Sequence, residues 1–127
     1  MAEWSPAVLA HFERPRGAGR PDGAVAFRHG RGGWVKKGAV VELWLRCEQE
    51  RVVEARYEAY GCPATIASAS WLCEYLSNRP VEQARALAGL DIAGALALPP
   101  EKIGVALIAE DALKQALDGD KAPSAAL

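Results

Sequence analysis

Two stretches of the chain alternate apolar and polar residues with a period of two. From Ala39 to Cys47, Val41, Leu43, Leu45 and Cys47 fall on one face, and Glu42 and Arg46 with Trp44 fall on the other. This is the pattern of a half-buried strand. Val53, Ala55, Tyr57 and Ala59 repeat it against Glu54, Arg56 and Glu58. The polar Glu48-Gln49-Glu50-Arg51 between the runs reads as a hairpin turn, so the two strands pair antiparallel. After Gly61 the period changes to that of a helix, with Ile66, Ala69, Cys73 and Leu76 on one stripe that Asn78-Arg79-Pro80 ends. Two short helices follow, one from Pro80 to Leu87 with Gly89 beyond, the other from Asp91 to Leu96 with Pro99-Pro100 beyond. Pro100 then primes a longer helix whose apolar face is Ile103, Leu107, Ala109, Leu113 and Leu117, ending near Gly119.

Ahead of the strands, Trp4-Ser5-Pro6 opens a short helix: Ser5 can cap it, Pro6 suits its first turn, Trp4 can staple onto Leu9, and Pro15 stops the run. From Arg16 to Gly33 the chain holds six glycines around the apolar Val25-Ala26-Phe27. That stretch reads as loop with room for one edge strand. Strands first and helices afterwards predict an α+β fold, a small antiparallel β-sheet of about three strands with helices packed on one face.

The length of 127 residues predicts a single domain. We place it at residues 1–119, with 120–127 as a flexible tail. Half the residues are apolar and 24% charged, which excludes the disordered and fibrous classes. Fifteen basic residues against sixteen acidic leave a net charge of −1, too little field to attract nucleic acid or an anionic membrane surface. No apolar run approaches the ~18 residues of a membrane span, and the segment from Trp4 to Arg16 is too short, polar and proline-bounded for a signal peptide. A cytoplasmic location is expected. Three cysteines without paired spacing suit reduced thiols rather than a disulfide framework.

Cys62 is where chemistry could live, because Tyr60-Gly61-Cys62-Pro63 joins the end of a strand to the start of a helix. Unsatisfied N–H groups at a helix start favour the thiolate, the form that binds metal or attacks sulfur. The alternative is a small side chain filling a turn. Cys73, on a helix stripe, and Cys47, on the inward face of a strand, read as core. A zinc or cluster site needs about four donors, and no spacing brings His11 or His29 to Cys62. The Lys36-Lys37 pair and the basic loop from Arg14 to Arg31 suit either an acidic partner segment or plain solvation. Leu98-Pro99-Pro100-Glu101-Lys102 is suited to docking in a partner's groove, or is simply a helix stop followed by a helix start. No catalytic signature is present, and a thiol nucleophile would lack an adjacent histidine base. We do not expect an enzyme.

Four segments, in order, resemble the IscU/NifU N-terminal family of iron–sulfur cluster assembly scaffolds, and the likeness runs from Trp4 to about Leu117. Val8-Leu9-Ala10-His11-Phe12-Glu13-Arg14-Pro15-Arg16 is similar to that family's first helix and the turn after it. The stretch from Tyr60 to Ser70 resembles the segment of its central cluster cysteine. Leu98 to Lys102 resembles its chaperone-recognition motif, and Ala109-Glu110-Asp111-Ala112 its last helix. The resemblance implies an antiparallel sheet with packed helices, an iron–sulfur cluster as cargo, and a cysteine desulfurase and a dedicated chaperone as partners.

The departures from the family pattern shape the expected mechanism. Where the family has a cysteine and, two residues later, an aspartate, Lys37 and Ala39 stand here, and where it has His-Cys, Gly104 and Val105 stand. Of that donor set only Cys62 remains. A carbon side chain has nothing to donate to iron, and an ammonium has no lone pair. The resemblance therefore implies a degenerate scaffold-like protein that keeps one metal-type cysteine and a partner-docking surface at Leu98, Pro99, Pro100, Glu101 and Lys102, without a cluster of its own. The alternative is an adaptor or regulator of cluster biogenesis with no metal or sulfur chemistry.

Overall fold

A computed structural model describes residues 4–118. Three strands, β1 (Arg28–Trp34), β2 (Ala39–Glu48) and β3 (Arg51–Tyr60), form an antiparallel sheet in the order β1-β2-β3. Five α-helices accompany it: α1 (Pro6–Glu13), α2 (Pro63–Leu76), α3 (Val81–Arg85), α4 (Gly89–Ala95) and α5 (Ile103–Asp118). α5 lies along β1 and β2, α2 along β3, α1 against α2, and α4 against α5. The α+β fold expected from the periodicity is the one found. The expected tail at 120–127 lies outside the described residues. No helix among the described residues is long and apolar enough to cross a membrane.

The hairpin forms where the alternation places it, with Leu43 opposite Tyr57 and Leu45 opposite Ala55. Its turn is tighter than expected: Gln49 and Glu50, with φ of 52° and 61°, are the two central residues, the left-handed pair that matches strand twist. A register shift beside Arg46 and Cys47 pairs Cys47 with Val52. Val52, not Val53, is therefore the fully buried valine. One extra residue in a strand reverses every face beyond it. Trp44, on the outer face, is also buried, because the Arg20 guanidinium sits 5.0 Å from its ring and the His29 ring lies tilted against it at 5.1 Å.

The glycine-rich segment departs further from the reading as loop. Val25-Ala26-Phe27 is not the strand; a 3-10 turn occupies Ala24–Ala26, and β1 begins after Phe27. β1 carries Gly30 and Gly32 because α5 rests directly on it, whereas Gly33 has φ of 83° and its Cβ would lie 2.2 Å from the Ala39 carbonyl oxygen. A Cβ at Gly30 would lie 2.0 Å from the Ala112 carbonyl oxygen, and one at Gly32 2.1 Å from that of Ile108. Absent side chains explain Gly30 and Gly32, and the left-handed backbone requires Gly33.

Other details of the helices also shift. Ser5 caps α1 by accepting from the Val8 N–H at 3.1 Å, and its hydroxyl donates to the Leu96 carbonyl. Leu9 stays 41% exposed, and Trp4 instead packs on the core with the Lys102 ammonium 5.8 Å from its ring. Gly89 opens α4 rather than ending α3, with Asp91 accepting from the Ala88 N–H at 2.9 Å. Leu107 is exposed, and Ala106, Ala109 and Ala112 form the buried face of α5 with Leu113 and Leu117. Small residues there permit the close approach to β1.

Replacing Gly32 with Ala should lower unfolding stability by about 3 kcal/mol or more, because helix or strand must move. Gly104→Ala, whose Cβ meets nothing within 4 Å, should leave stability unchanged or raise it by up to about 1 kcal/mol. Urea titration of the two variants checks the contrast.

Candidate functional site

β3 ends at Tyr60 and α2 begins at Pro63, which leaves Gly61 and Cys62 to make the turn between them. Gly61 has φ of 148°, and a Cβ there would lie 2.6 Å from Thr65 Oγ1 and 3.1 Å from the Gly38 carbonyl oxygen. Only glycine fits. Cys62 is thereby held as the N-cap of α2, extended at φ −76° and ψ 173°, with Pro63 pre-set for the first helical position.

The Cys62 side chain is half-buried, and its Sγ lies 3.7 Å from Thr65 Oγ1. Burial raises its pKa, but the Thr65 amide and hydroxyl, the Ala64 amide and the Lys102 ammonium together bring it below the ordinary value of 9.0. The other two thiols move the opposite way. Burial raises Cys47, and it pushes Cys73 up to about 12. The three cysteines therefore separate into one activated thiol and two thiols suited to packing.

Around this turn the chain gathers segments distant in sequence. The 3-10 turn Val35–Lys37 brings Gly38 against Gly61, and the positive charge of Lys102, in the turn before α5, acts on the thiol electrostatically. Lys37 is exposed, with its ammonium 5.7 Å from the Trp34 ring. Ala39 is buried as the first residue of β2. Gly104 and Val105 lie in the first turn of α5, Gly104 with open space around it and Val105 half-buried.

The two histidines are engaged elsewhere. His11 Nδ1 lies 2.8 Å from Ser70 Oγ and its Nε2 3.4 Å from Glu74, tying α1 to α2, and burial lowers its pKa. His29 Nε2 lies 3.3 Å from Glu42. Among the described residues no three of His, Cys, Asp and Glu converge as a metal site.

The segment from Leu98 to Lys102 is less open than its prolines suggest. Leu98 packs against the core and donates its N–H to the Ala93 carbonyl at 3.0 Å. Pro100–Lys102 is a 3-10 turn with the Lys102 N–H bonded to the Pro99 carbonyl. Pro100 and Glu101 are exposed; Pro99 and Lys102 are half-buried. Sequence reasoning did not connect Thr65 and Lys102 to the thiol. Thr65, three residues into the helix from its N-cap, carried a signal; the approach of Lys102 across forty positions carried none. Trp34, Val35 and Tyr60, exposed beside this turn, were also missed, although an apolar pair next to two lysines outside any alternating run is a visible anomaly.

Residues 3–122 match the family described as the NifU-like N terminal domain. The chain belongs to this family. It is 36% identical over 116 residues to the iron–sulfur cluster assembly scaffold protein IscU of Escherichia coli K12, covering 90% of this chain and 91% of that protein. Identity to the scaffold protein IscU of Azotobacter vinelandii is 35% over the same coverage. With the iron–sulfur cluster assembly protein IscU of Plasmodium falciparum it is 36%, over 92% of this chain and 73% of that one. Among solved structures, a candidate iron–sulfur cluster assembly scaffold for the SUF system from Fervidobacterium islandicum superposes with a TM-score of 0.69 at 16% identity, over 90% of this chain and 96% of that one. That likeness shows the shared fold.

The opposed shifts of the thiols predict their order of alkylation. Iodoacetamide should modify Cys62 first, with the midpoint of its pH-rate curve below 9.0, and Cys62→Ser should remove the fast phase. Peptide mapping across pH reads this; fast labelling of Cys47 or Cys73 would contradict it.

Proposed function

We propose that this protein acts in iron–sulfur cluster assembly as a scaffold-type member of its family that keeps the thiol at Cys62 and a partner-docking surface, but does not enclose a cluster unaided. The observation that carries this reading is the solitary activated thiol: Cys62 has the helix start, Thr65 and Lys102 around it, and no convergent group of three donors lies among the described residues. Lys37, Ala39, Gly104 and Val105 hold the positions at which the resemblance puts the lost donors. None of them offers a lone pair to iron at neutral pH. A cluster as cargo needs about four protein donors, so this donor set does not fit one held by a single chain.

A thiolate of this kind is suited to accept sulfur from a cysteine desulfurase. Cys62 Sγ would attack the terminal sulfur of the donor's persulfide; the donor's S–S bond breaks, its electron pair leaves on the donor cysteine, and a new S–S bond forms at Cys62. The Lys102 ammonium would stabilise the anionic sulfur. Pro100 and Glu101, exposed at the turn before α5, would present the chaperone contact implied by the family likeness. The second reading is an adaptor in which Cys62 only fills the turn, favoured by its half-buried state.

Incubation with a cysteine desulfurase and free cysteine, followed by mass spectrometry of intact protein and peptides, separates the two readings. One added sulfur on Cys62, lost in Cys62→Ser while desulfurase binding persists, is the expected result. Full desulfurase binding with no sulfur on Cys62 would leave only the adaptor.

A further inference from the structure

Three of the seven exposed large hydrophobic residues among the described residues, Trp34, Val35 and Tyr60, at 66%, 56% and 56% exposure, gather at one end of the sheet. Tyr60 pairs with Val40 across the β2–β3 ladder. Val35 and Tyr60, with Val40 and Ile66, line an open depression of about 530 Å³. Trp34, the neighbour of Val35 in the chain, lines a separate shallow hollow with Lys37, Ile108 and Asp111 and carries the Lys37 ammonium over its ring. Nothing in the fold requires these side chains to be apolar, since each projects from the packed core.

The turn next to Val35 adds two cationic side chains without ion-pair partners among the described residues. Lys36 and Lys37 are exposed on the turn after Trp34. No carboxylate among the described residues lies within ion-pair distance of either ammonium. Glu42 and Glu58 also line the depression, but their charges are met, Glu42 by His29 and Arg31 and Glu58 by Arg20. Asp111 shares the shallow hollow beside Trp34 and Lys37 without pairing with the lysine. In a chain of net charge −1, two unpaired lysines beside an exposed indole form a local cationic and apolar patch.

We propose that Trp34, Val35, Tyr60, Lys36 and Lys37 form a docking surface for an acidic segment of a partner protein, one that sets an aliphatic or aromatic side chain between Val35 and Tyr60. This rests on the reading of the chain as a partner-docking scaffold, and adds a surface separate from Leu98–Lys102. The lysines supply charge complementarity and a steered approach; the apolar side chains supply the buried anchor. A second copy of this chain is disfavoured, because two such patches would set lysines against lysines. The surface flanks Gly61-Cys62 through the contact of Gly38 with Gly61, so a segment seated there would bring its protein up to the thiol.

The probe is a short dye-labelled peptide alternating glutamate with leucine, measured by fluorescence anisotropy against the whole chain. Two controls accompany it, one with serine for leucine and one with lysine for glutamate. The glutamate–leucine peptide should bind about tenfold or more tightly than either control, and Trp34→Ala and the double change Lys36→Glu, Lys37→Glu should each weaken it about tenfold. All these positions are exposed, and unchanged thermal melts of the variants confirm that binding and not folding was altered. Equal binding of the serine control, no binding of any peptide, or binding insensitive to these variants overturns the proposal. So does equally variant-sensitive binding to phosphatidylserine–phosphatidylcholine vesicles, which would assign the patch to a membrane, or a dimer that Trp34→Glu dissolves. Cys62→Ser should leave peptide binding intact, so loss of sulfur acceptance and loss of this surface are read separately.

Discussion

The short connection between β3 and α2 constrains everything near the candidate site. Two residues must turn the chain from strand to helix while the Gly38 carbonyl and the Thr65 side chain crowd the first of them. Gly61 is required by that crowding and by its φ of 148°. Pro63 then fixes the direction in which α2 leaves. With both neighbours restricted, Cys62 has little conformational freedom left, and its sulfur stays at a helix start where free amides face it. The activated state of the thiol is a consequence of backbone geometry, reinforced by Thr65 and Lys102.

Close backbone packing supports that junction. α5 rests on Gly30 and Gly32 of β1, which lets the same helix approach β2 and α2. α2 itself is buried on most sides, with Ala64, Ala67 and Ala69 among its enclosed residues together with Thr65, Ser68 and Ser70. Its polar interior is partly tied down: Ser70 Oγ accepts from the Arg16 N–H at 2.8 Å and meets His11 at the same distance. The central helix is therefore held by small side chains and a few directed bonds, and tolerates little displacement.

What was legible in the chain follows from which forces are local. The alternation of β2 and β3 and the proline and cap signals of α1, α2 and α5 depend on neighbours a few residues away, and the fold class follows from them. The edge strand for which the glycine-rich stretch left room is β1, but its bounds were not legible, because Gly30 and Gly32 answer to α5, about eighty residues later. The bulge that exchanges Val53 for Val52 depends on cross-strand geometry that no single strand records. At the site, the position of Cys62 was readable from the Gly61-Cys62-Pro63 turn. The field of Lys102 was not, since it depends on how α5 is docked. At Leu98–Lys102 the proline pair resembles a free strand, but only Pro100 and Glu101 are exposed, and Leu98 packs against the core through its side chain.

Membership of the NifU-like N-terminal domain family rests on similarity that spans 90% of the chain, while among the described residues no three of His, Cys, Asp and Glu converge as a metal site. The proposed reading, in which cluster chemistry at Cys62 is completed by another protein, stands or falls with whether this chain alone holds a cluster. Native mass spectrometry of the purified chain after anaerobic exposure to ferrous iron and sulfide tests this most directly. The account predicts the mass of the bare polypeptide; a monomer carrying a stoichiometric iron–sulfide core, retained through desalting, would contradict it.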